Sequence, residues 1–400
     1  MANSRASLRS YRRRLVDDAS PLVVAGAVSA IEIVFVLARI VVAAKGRVTA
    51  LIVAGSQYVN PHGVPIHLPI LPGSGYDGQF YFRMALNPFD FAHSAYGVTL
   101  DTPFRLQRVG YPALVWLLSL GHASLVPFVM IIVNVLALGT IAFVLAQVAV
   151  ESGQSVWFGV LGALFAGYAL SLGRDLTEPM AAALLLLGIY SLSKGRPWWA
   201  ALLLSGSVLT RETAMVIVGS VGLAWIVSLV RPAVVHGVES RRWRLLVAGG
   251  VPSVVFLSYQ VFLHAQLHHT VLKSDFSANL GLPVVALVRG IVQRAGAFNL
   301  ANALWSLQFI ALLLLVVVVA RSLRRIEAPL FLKLSFIFLL VLVLSLSSEI
   351  WANDADLRSL DQLWILAWYL LLLGRKRGLA RWSPMVVVWG LTALQLVVFI

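Results

Sequence analysis

The sequence contains no cysteine, and only 12% of its 400 residues are charged. The absence of cysteine excludes disulfides and thiolate metal sites, and it leaves the redox compartment open. The scarcity of charge excludes an ordinary water-soluble domain, in which about 25% of residues are charged. A disordered chain is excluded as well, because 60% of the residues are hydrophobic and the mean hydropathy is +0.87.

Long apolar runs without alternation indicate membrane-spanning helices rather than a β-barrel. The run ALLLLVVVVA at 311–320 lacks the period-two pattern of barrel strands. Backbone groups inside a bilayer must pair within the protein, which leaves helices as the remaining spanning structure. The sequence therefore predicts an all-α integral membrane protein whose residues 1–400 form a single polytopic domain.

The distribution of basic residues predicts how this domain is oriented. The net charge is +14, and arginines are frequent before the first apolar stretch. If the N-terminus is cytoplasmic, every second loop is rich in Lys and Arg, as the positive-inside rule requires. The positive charge therefore indicates a multi-pass protein of the cell (inner) membrane, in contact with the lipid bilayer, and not a nucleic-acid partner. Eleven spans are predicted, at 21–44, 124–149, 155–173, 179–193, 198–210, 214–230, 245–266, 301–320, 330–347, 362–373 and 384–400.

Segments between the spans give two long extracytoplasmic loops, 45–108 and 267–300. Segment 109–120 is predicted to be an interfacial or re-entrant helix, because it covers only about 18 Å of a ~30 Å apolar core. Within the first span, Glu32 and Arg39 are seven residues apart and are predicted to share one face.

Charged residues at the tips of short hairpins are predicted to lie below the outer membrane surface. The two spans within 198–230 cover about 50 Å, whereas two straight crossings need about 60 Å. A charge at membrane depth costs about 2.5–3.5 kcal/mol, so several such tips on one side predict a shared polar cavity open to that side. The alternative is local bilayer thinning with a structural ion pair between Arg211 and Glu178. The residues drawn inward are Asp175, Glu178, Arg211, Glu212, Arg358 and Asp361.

The first outer loop carries the motif YDGQFYFR at 76–83, in which Asp77 lies between Gly75 and Gly78. Glycine allows a sharp backbone bend at this point. Asp77 would precede a short helix, whose dipole favours an ionised carboxylate. Such a carboxylate can serve as a general base toward a hydroxyl group. The alternative role of Asp77 is an ordinary helix N-cap.

A helix from Gln79 to Leu86 is predicted to be amphipathic and to lie at the outer membrane interface. Phe82 and Leu86 would share its apolar face. Three side chains of this helix would face elsewhere and be able to contact a substrate: Gln79, Tyr81 and Arg83.

Two arginines follow in the stretch RLQRVGYP at 105–112. Arg105 and Arg108 are three residues apart, so on a helix they share one face. A pair of guanidinium groups suits phosphate recognition. The alternative is that both contact lipid headgroups. Asp101, four residues before Arg105, is a further candidate for substrate binding.

Together these features resemble the GT-C superfamily of polytopic glycosyltransferases, in particular mannosyltransferase-type members. The resemblance rests on Asp77 with its adjacent helix, on RLQRVGYP, on RDLTEPM at 174–180 and on LTRETAM at 209–215. It covers about residues 1–230 and is only topological beyond them. The first loop lacks an adjacent acidic pair, so the sequence leaves open whether Mg²⁺ or Mn²⁺ is needed, and it assigns no metal ligands.

The resemblance implies an inverting hexosyl or pentosyl transfer from a polyprenyl-phosphate sugar donor to a cell-envelope glycan or lipid acceptor. The active site would be extracytoplasmic, and Asp77 matches the catalytic carboxylate. The arginines that match the phosphate-facing residues are Arg105, Arg108, Arg211 and Arg358. The alternatives are a transporter or flippase of lipid-linked precursors and a non-catalytic subunit of envelope assembly.

Overall fold

The computed structural model describes residues 19–231, 239, 241–268, 270–271, 279–295 and 299–374. This part of the chain is mostly helical with little sheet, as the apolar sequence predicts. The predicted span at 384–400 and the basic N-terminal stretch lie outside the described residues. Five helical segments are long and apolar enough to cross a membrane: Pro21–Val42, Val126–Glu151, Glu212–Val230, Arg242–Leu267 and Leu300–Ser322.

The helices and strands follow one another in a simple order. The helices are α1 (Pro21–Val42), α2 (Gly78–Leu86), α3 (Gly110–Ser119), α4 (Val126–Glu151), α5 (Gly159–Ala163), α6 (Ala166–Leu172), α7 (Glu178–Ser193), α8 (Pro197–Thr210), α9 (Met215–Val230), α10 (Arg242–Leu267), α11 (Val285–Ala295), α12 (Leu300–Ser322), α13 (Leu330–Leu344), α14 (Ser348–Ala352) and α15 (Asp361–Leu373). Two strand pairs lie in the first loop: β1 (Ala54–Gly55) is parallel to β2 (Ile70–Leu71), and β3 (Ser94–Ala95) is antiparallel to β4 (Val98–Thr99). Short 3-10 helices connect several elements at Val48–Ile52, Pro103–Gln107, Val156–Phe158, Glu212–Ala214 and Asp354–Leu360.

The centre of the bundle is α15, in which every residue except the last is buried. It packs against α4, α7 and α13, so its tryptophans point into protein rather than lipid. The indole N–H of Trp364 donates to the carbonyl of Gly162 at 3.0 Å. This central packing fixes where α15 begins, and it thereby positions the 3-10 helix before it, which carries Arg358.

Segment 155–173, predicted as a span, is divided into α5 and α6 instead of forming one helix. The interruption falls at Leu164 and Phe165, where Phe165 has extended backbone angles. The Phe165 ring stacks on Trp364, with centroids 5.1 Å apart. Tertiary packing against α15 therefore overrides the apolar run, which by itself favours a continuous helix.

The first helix buries one stripe of residues, and Glu32 and Arg39 both belong to it, as their spacing predicts. The guanidinium Nε of Arg39 donates to the carbonyl of Gly173 at 2.9 Å. This contact attaches α1 to the turn before α7.

The hairpin tips are buried, as their short spans predict. Helix α8 ends at Thr210, and Arg211 takes an extended conformation before the chain turns into α9. The exposed fraction is 5% for Arg211, 3% for Glu178 and 1% for Asp361. The tips thus place charged side chains inside the protein, at the end of the helix bundle that carries the first loop.

Helix α2 occupies almost the predicted residues, and it is enclosed by protein instead of presenting one apolar face outward. All nine of its residues are buried, including Gln79, Tyr81 and Arg83. The loop covers the polar face: the Gln79 carboxamide accepts from the backbone of Gly55, at 2.9 Å, and donates to that of Ser74. The first loop and helices α3 and α4 therefore hold this helix.

Candidate active site

Asp77 lies at the N-cap position of α2, yet its side chain makes no cap hydrogen bond. Instead, one carboxylate oxygen, Oδ2, contacts two guanidinium groups. Arg105 approaches to 3.0 Å and Arg358 to 2.9 Å. Asp77 therefore occupies the N-cap position, but its carboxylate pairs with arginines instead of capping the helix.

Arg105 is held in this position by a second carboxylate in its own segment. Its Nε and Nη2 groups donate to the two oxygens of Asp101, at 3.1 and 2.8 Å. Asp101 lies just before the 3-10 helix Pro103–Gln107, and Arg105 lies within it. The bidentate contact therefore forms between residues only four apart in the chain. The guanidinium of Arg105 therefore contacts two carboxylates: Nε and Nη2 contact Asp101, and Nη1 contacts Asp77.

Arg358 connects the first loop to the hairpin tips. Its Nε donates to Glu178 at 2.7 Å, and its Nη1 donates to the Tyr76 hydroxyl. Glu178 also pairs with Arg211, so one buried carboxylate holds arginines from two separate elements. Arg358 therefore links Asp77 to Glu178 and, through Glu178, to Arg211.

Arg108 makes the second connection between the loop and a hairpin tip. Its Nε and Nη2 groups donate to Glu212 at 2.9 and 2.7 Å, and its Nη1 donates to the Tyr81 hydroxyl at 3.1 Å. Tyr81 thus acts on the site through Arg108 and does not line the cavity described next.

A cavity of about 580 Å³ lies beside this ionic network, and its walls differ in polarity. One wall carries charged and hydroxyl groups, including Asp77, Arg105 and Arg358. The opposite wall is aliphatic and comes from α13 and α14. Its apolar residues are Leu339, Leu342, Val343, Leu346 and Ile350.

The network contains as many carboxylates as arginines, and each group has a partner of opposite charge. The arginines are Arg105, Arg108, Arg211 and Arg358, and the carboxylates are Asp77, Asp101, Glu178 and Glu212. Buried charges are tolerated when they are paired in this way. The wall of the cavity is therefore rich in charge but close to neutral overall.

Electrostatics keep Asp77 ionised. Burial raises the pKa of its carboxyl, but the charges of Arg105, Arg358 and Arg108 outweigh burial and lower the pKa to about 2. Burial likewise opposes the charge of Arg105, yet Asp77 and Asp101 raise the pKa of that guanidinium above its ordinary range. In the absence of a ligand, the ion pair is the stable form at neutral pH.

Tyr81 and Glu178 contact the arginines of the cavity wall without lining the cavity, and two further predicted binding residues lie away from it. Asp175 is fully buried behind it with φ of 52°, and neither of its carboxyl oxygens has a hydrogen-bond partner in the described part of the chain. Burial raises the pKa of this carboxyl well above its usual value, and Arg39 offsets only part of that effect. Arg83 belongs to α2, where its side chain is buried and donates to the carbonyl of Ala92.

Several lining residues were missed by the sequence analysis. Tyr76 stacks under two guanidinium groups, with its centroid 4.1 Å from Arg174 and 4.9 Å from Arg358. Its position next to Asp77 could have suggested a role. The Gln362 amide donates to the Thr213 hydroxyl at 2.8 Å, a contact between distant segments that no local pattern reveals.

The carboxylates of the site do not form a metal-binding set. Within the residues that the structure describes, no three His, Asp or Glu side chains come close enough together to hold an ion. The oxygens of Asp77, Asp101, Glu178 and Glu212 are instead directed at arginines. Mg²⁺ is commonly bound through one or two carboxylates together with substrate phosphates, so this ligand-free geometry assigns no metal ligand to the protein.

Comparison with known proteins gives no family for this chain. No protein-family model, no curated protein and no solved structure matches the sequence or the fold.

Proposed function

We propose that the protein is a GT-C-type membrane glycosyltransferase that moves a sugar from a polyprenyl-phosphate donor to a cell-envelope glycan or lipid acceptor, with inversion. The observation that carries the proposal is the contact of Asp77 with Arg105 and Arg358 on the wall of a cavity. A carboxylate and guanidinium groups side by side supply the base and the phosphate contacts that such a transfer needs.

The two-sided cavity supports a donor that is polar at one end and apolar at the other. The aliphatic wall of α13 and α14 suits the first isoprene units. The charged wall suits the phosphate and the sugar. A volume of about 580 Å³ fits a headgroup but not a whole polyprenyl chain, so the chain would extend into the bilayer.

Donor binding has a consequence for the base. Since Arg105 and Arg358 both hold Oδ2 of Asp77, a phosphate that binds these arginines must compete with that carboxylate. Release from the arginines removes the charges that hold the pKa of Asp77 at about 2, so the pKa of this buried carboxyl rises. A free Asp77 is a stronger base than the paired one, so donor binding would prepare the site for proton transfer.

The transfer itself is a single displacement. Asp77 takes the proton of the acceptor hydroxyl while the acceptor oxygen bonds to the anomeric carbon. The bond from that carbon to the phosphate oxygen breaks, and its electron pair leaves with the polyprenyl phosphate. Arginine side chains stabilise the charge that develops on the departing phosphate. No step is routed through a divalent cation.

The proposed enzyme lies in the cell (inner) membrane with eleven spans, a cytoplasmic N-terminus and an extracytoplasmic site. The basic loops support this orientation, because they and the Asp77 site fall at opposite ends of α7 and α15.

One observation favours a second candidate, a non-catalytic subunit of envelope assembly. Every arginine of the network already has a carboxylate partner, as in a purely structural clamp. Such a subunit would support assembly without turning over a donor.

The test is transfer activity of the purified protein in liposomes, with polyprenyl-phosphate hexoses and pentoses as donors and extracted envelope glycolipids as acceptors. Asp77→Asn should lower the rate by about 10²–10⁴-fold, the usual contribution of a positioned base. The matched control is Glu349→Gln, because Glu349 is an exposed carboxylate in α14, next to Ile350, and does not line the cavity. Thermal unfolding would establish that both variants are folded at the assay temperature. Near-native turnover by Asp77→Asn would end the assignment of the base.

A further inference from the structure

A second cavity, of about 810 Å³, lies at the other end of the same helices. Helix α7 begins at Glu178 in the network around Asp77, and it ends at Ser193 in the wall of this cavity. Its sixteen residues place the two ends about 24 Å apart. The second cavity is therefore separate from the proposed active site.

Two of the acidic residues around this cavity are already engaged. Glu151 pairs with Lys194 at 2.6 Å and accepts from the Tyr190 hydroxyl at 2.8 Å. Glu239 accepts the backbone N–H of Phe331, at 2.9 Å, in the first turn of α13. The charge of Glu151 is thus balanced by Lys194, whereas the backbone N–H that Glu239 accepts carries no positive charge.

Three cations in the same wall are not neutralised in this way. Arg324 and Arg325 are exposed, and Lys333 is half-buried one turn inside the apolar helix α13. Within the described residues, none of their side chains takes part in a hydrogen bond or an ion pair. Glu327 has no such partner there either. The wall therefore carries four cations and three carboxylates, a net charge of +1.

We propose that this cavity binds a phosphate group, either as inorganic phosphate or as the headgroup of an anionic phospholipid. An arginine fork and a lysine ammonium are the usual partners of phosphate oxygens. Basic cavities between membrane helices commonly take phospholipid headgroups. Apolar neighbours of the cations, Ile326, Leu330 and Leu373, suit the glycerol and acyl part of such a lipid. The site is independent of the proposed sugar transfer.

The experiment measures thermal unfolding of the full chain in nanodiscs. One arm adds inorganic phosphate to nanodiscs of phosphatidylcholine. The other replaces part of the phosphatidylcholine by phosphatidylglycerol. A rise in unfolding temperature in the first arm identifies free phosphate as the ligand, and a rise confined to the second identifies the lipid headgroup.

The double variant Arg325→Gln with Lys333→Gln should bind the responding ligand about 25-fold more weakly, at about fivefold for each cation removed. Lys333→Arg should retain binding, since it keeps the charge. Arg242→Gln is the matched control, because Arg242 is an exposed cation at the same end that does not line the cavity.

The proposal is overturned if neither arm stabilises the native protein. It is equally overturned if the double variant keeps the full response, or if Arg242→Gln loses as much as the double variant. The last result would assign the effect to general surface charge.

Discussion

At the scale of single residues, Asp77 shows how far local sequence can lead. The two flanking glycines and the following helix single it out, and its contact with Arg105 lies within the same loop. Its second partner, Arg358, is 281 residues further along the chain. The sequence related Arg358 to the site only through the predicted burial of short hairpin tips. It does not reveal which oxygen of Asp77 each arginine contacts.

The paired Asp77 carboxylate should stabilise the fold in a pH-dependent manner. Its pKa in the folded protein is about 2, below the ordinary 3.8, so its contribution is present above the ordinary value and is lost as pH falls toward 2. Linkage converts this difference to about 2 kcal/mol at neutral pH. Asp77→Asn should therefore lower the free energy of unfolding by about that amount at neutral pH.

The measurement is denaturant unfolding of both proteins in detergent at a series of pH values. The difference in unfolding free energy should shrink as the acid limit is approached, because the native carboxylate then becomes protonated. A difference that grows toward low pH would contradict the assigned ion pair.

Arg83 and Asp175 show why some predicted residues lie elsewhere. Both are polar and both are next to the site in sequence, but each is buried away from the cavity. On a helix with water on one side, a polar residue marks the exposed face. That rule fails for α2, because the first loop together with helices α3 and α4 buries all of its residues.

At the scale of elements, apolar runs predict helices well and their interruptions poorly. Helices α1, α4, α10 and α12 lie where their hydropathy places them. The division between α5 and α6 depends on Phe165 meeting Trp364, a contact across about 200 residues that the sequence does not disclose.

Gly78 is predicted to be essential for the position of α2. A Cβ added there would lie 2.9 Å from the carbonyl oxygen of Ile52 and closer still to that of Arg174. Both neighbours are backbone atoms, so α2 and Asp77 would have to move. Overpacking of this kind costs about 1–3 kcal/mol. Gly78→Ala should lower the unfolding temperature, and it should also lower any transfer activity.

Gly219→Ala in α9 is the control, since a Cβ there meets nothing within 4 Å. Replacing a helical glycine by alanine in open space stabilises by about 0.5–1 kcal/mol. The two variants should therefore shift the unfolding temperature in opposite directions. Equal shifts would show that the contact of Gly78 with Arg174 does not constrain the loop.

At the scale of the whole molecule, the two cavities give the helix bundle chemically different ends. The first loop and the hairpin tips combine arginines with an equal number of carboxylates. At the opposite end, Arg324, Arg325 and Lys333 take part in no ion pair within the residues that the structure describes. Carboxylates contribute little to topology, whereas Lys and Arg favour the cytoplasmic side. The basic end should consequently be the cytoplasmic one.

The absence of cysteine makes this orientation directly testable. Ala92 and Glu327 are both exposed and lie at opposite ends, one in the first loop and one between α12 and α13. Single cysteines at these positions would be the only thiols in the chain. In intact cells, a membrane-impermeant maleimide should label Ala92→Cys, while Glu327→Cys should react only after permeabilisation.

The native chain provides the background control, because it has no thiol to label. Labelling of both variants after permeabilisation establishes that each cysteine is accessible. The opposite pattern, with Glu327→Cys labelled in intact cells and Ala92→Cys protected, would place the Asp77 site in the cytoplasm. A donor displayed on the outer leaflet would then be out of reach, and the proposed transfer would have to be abandoned even if Asp77 acts as a base.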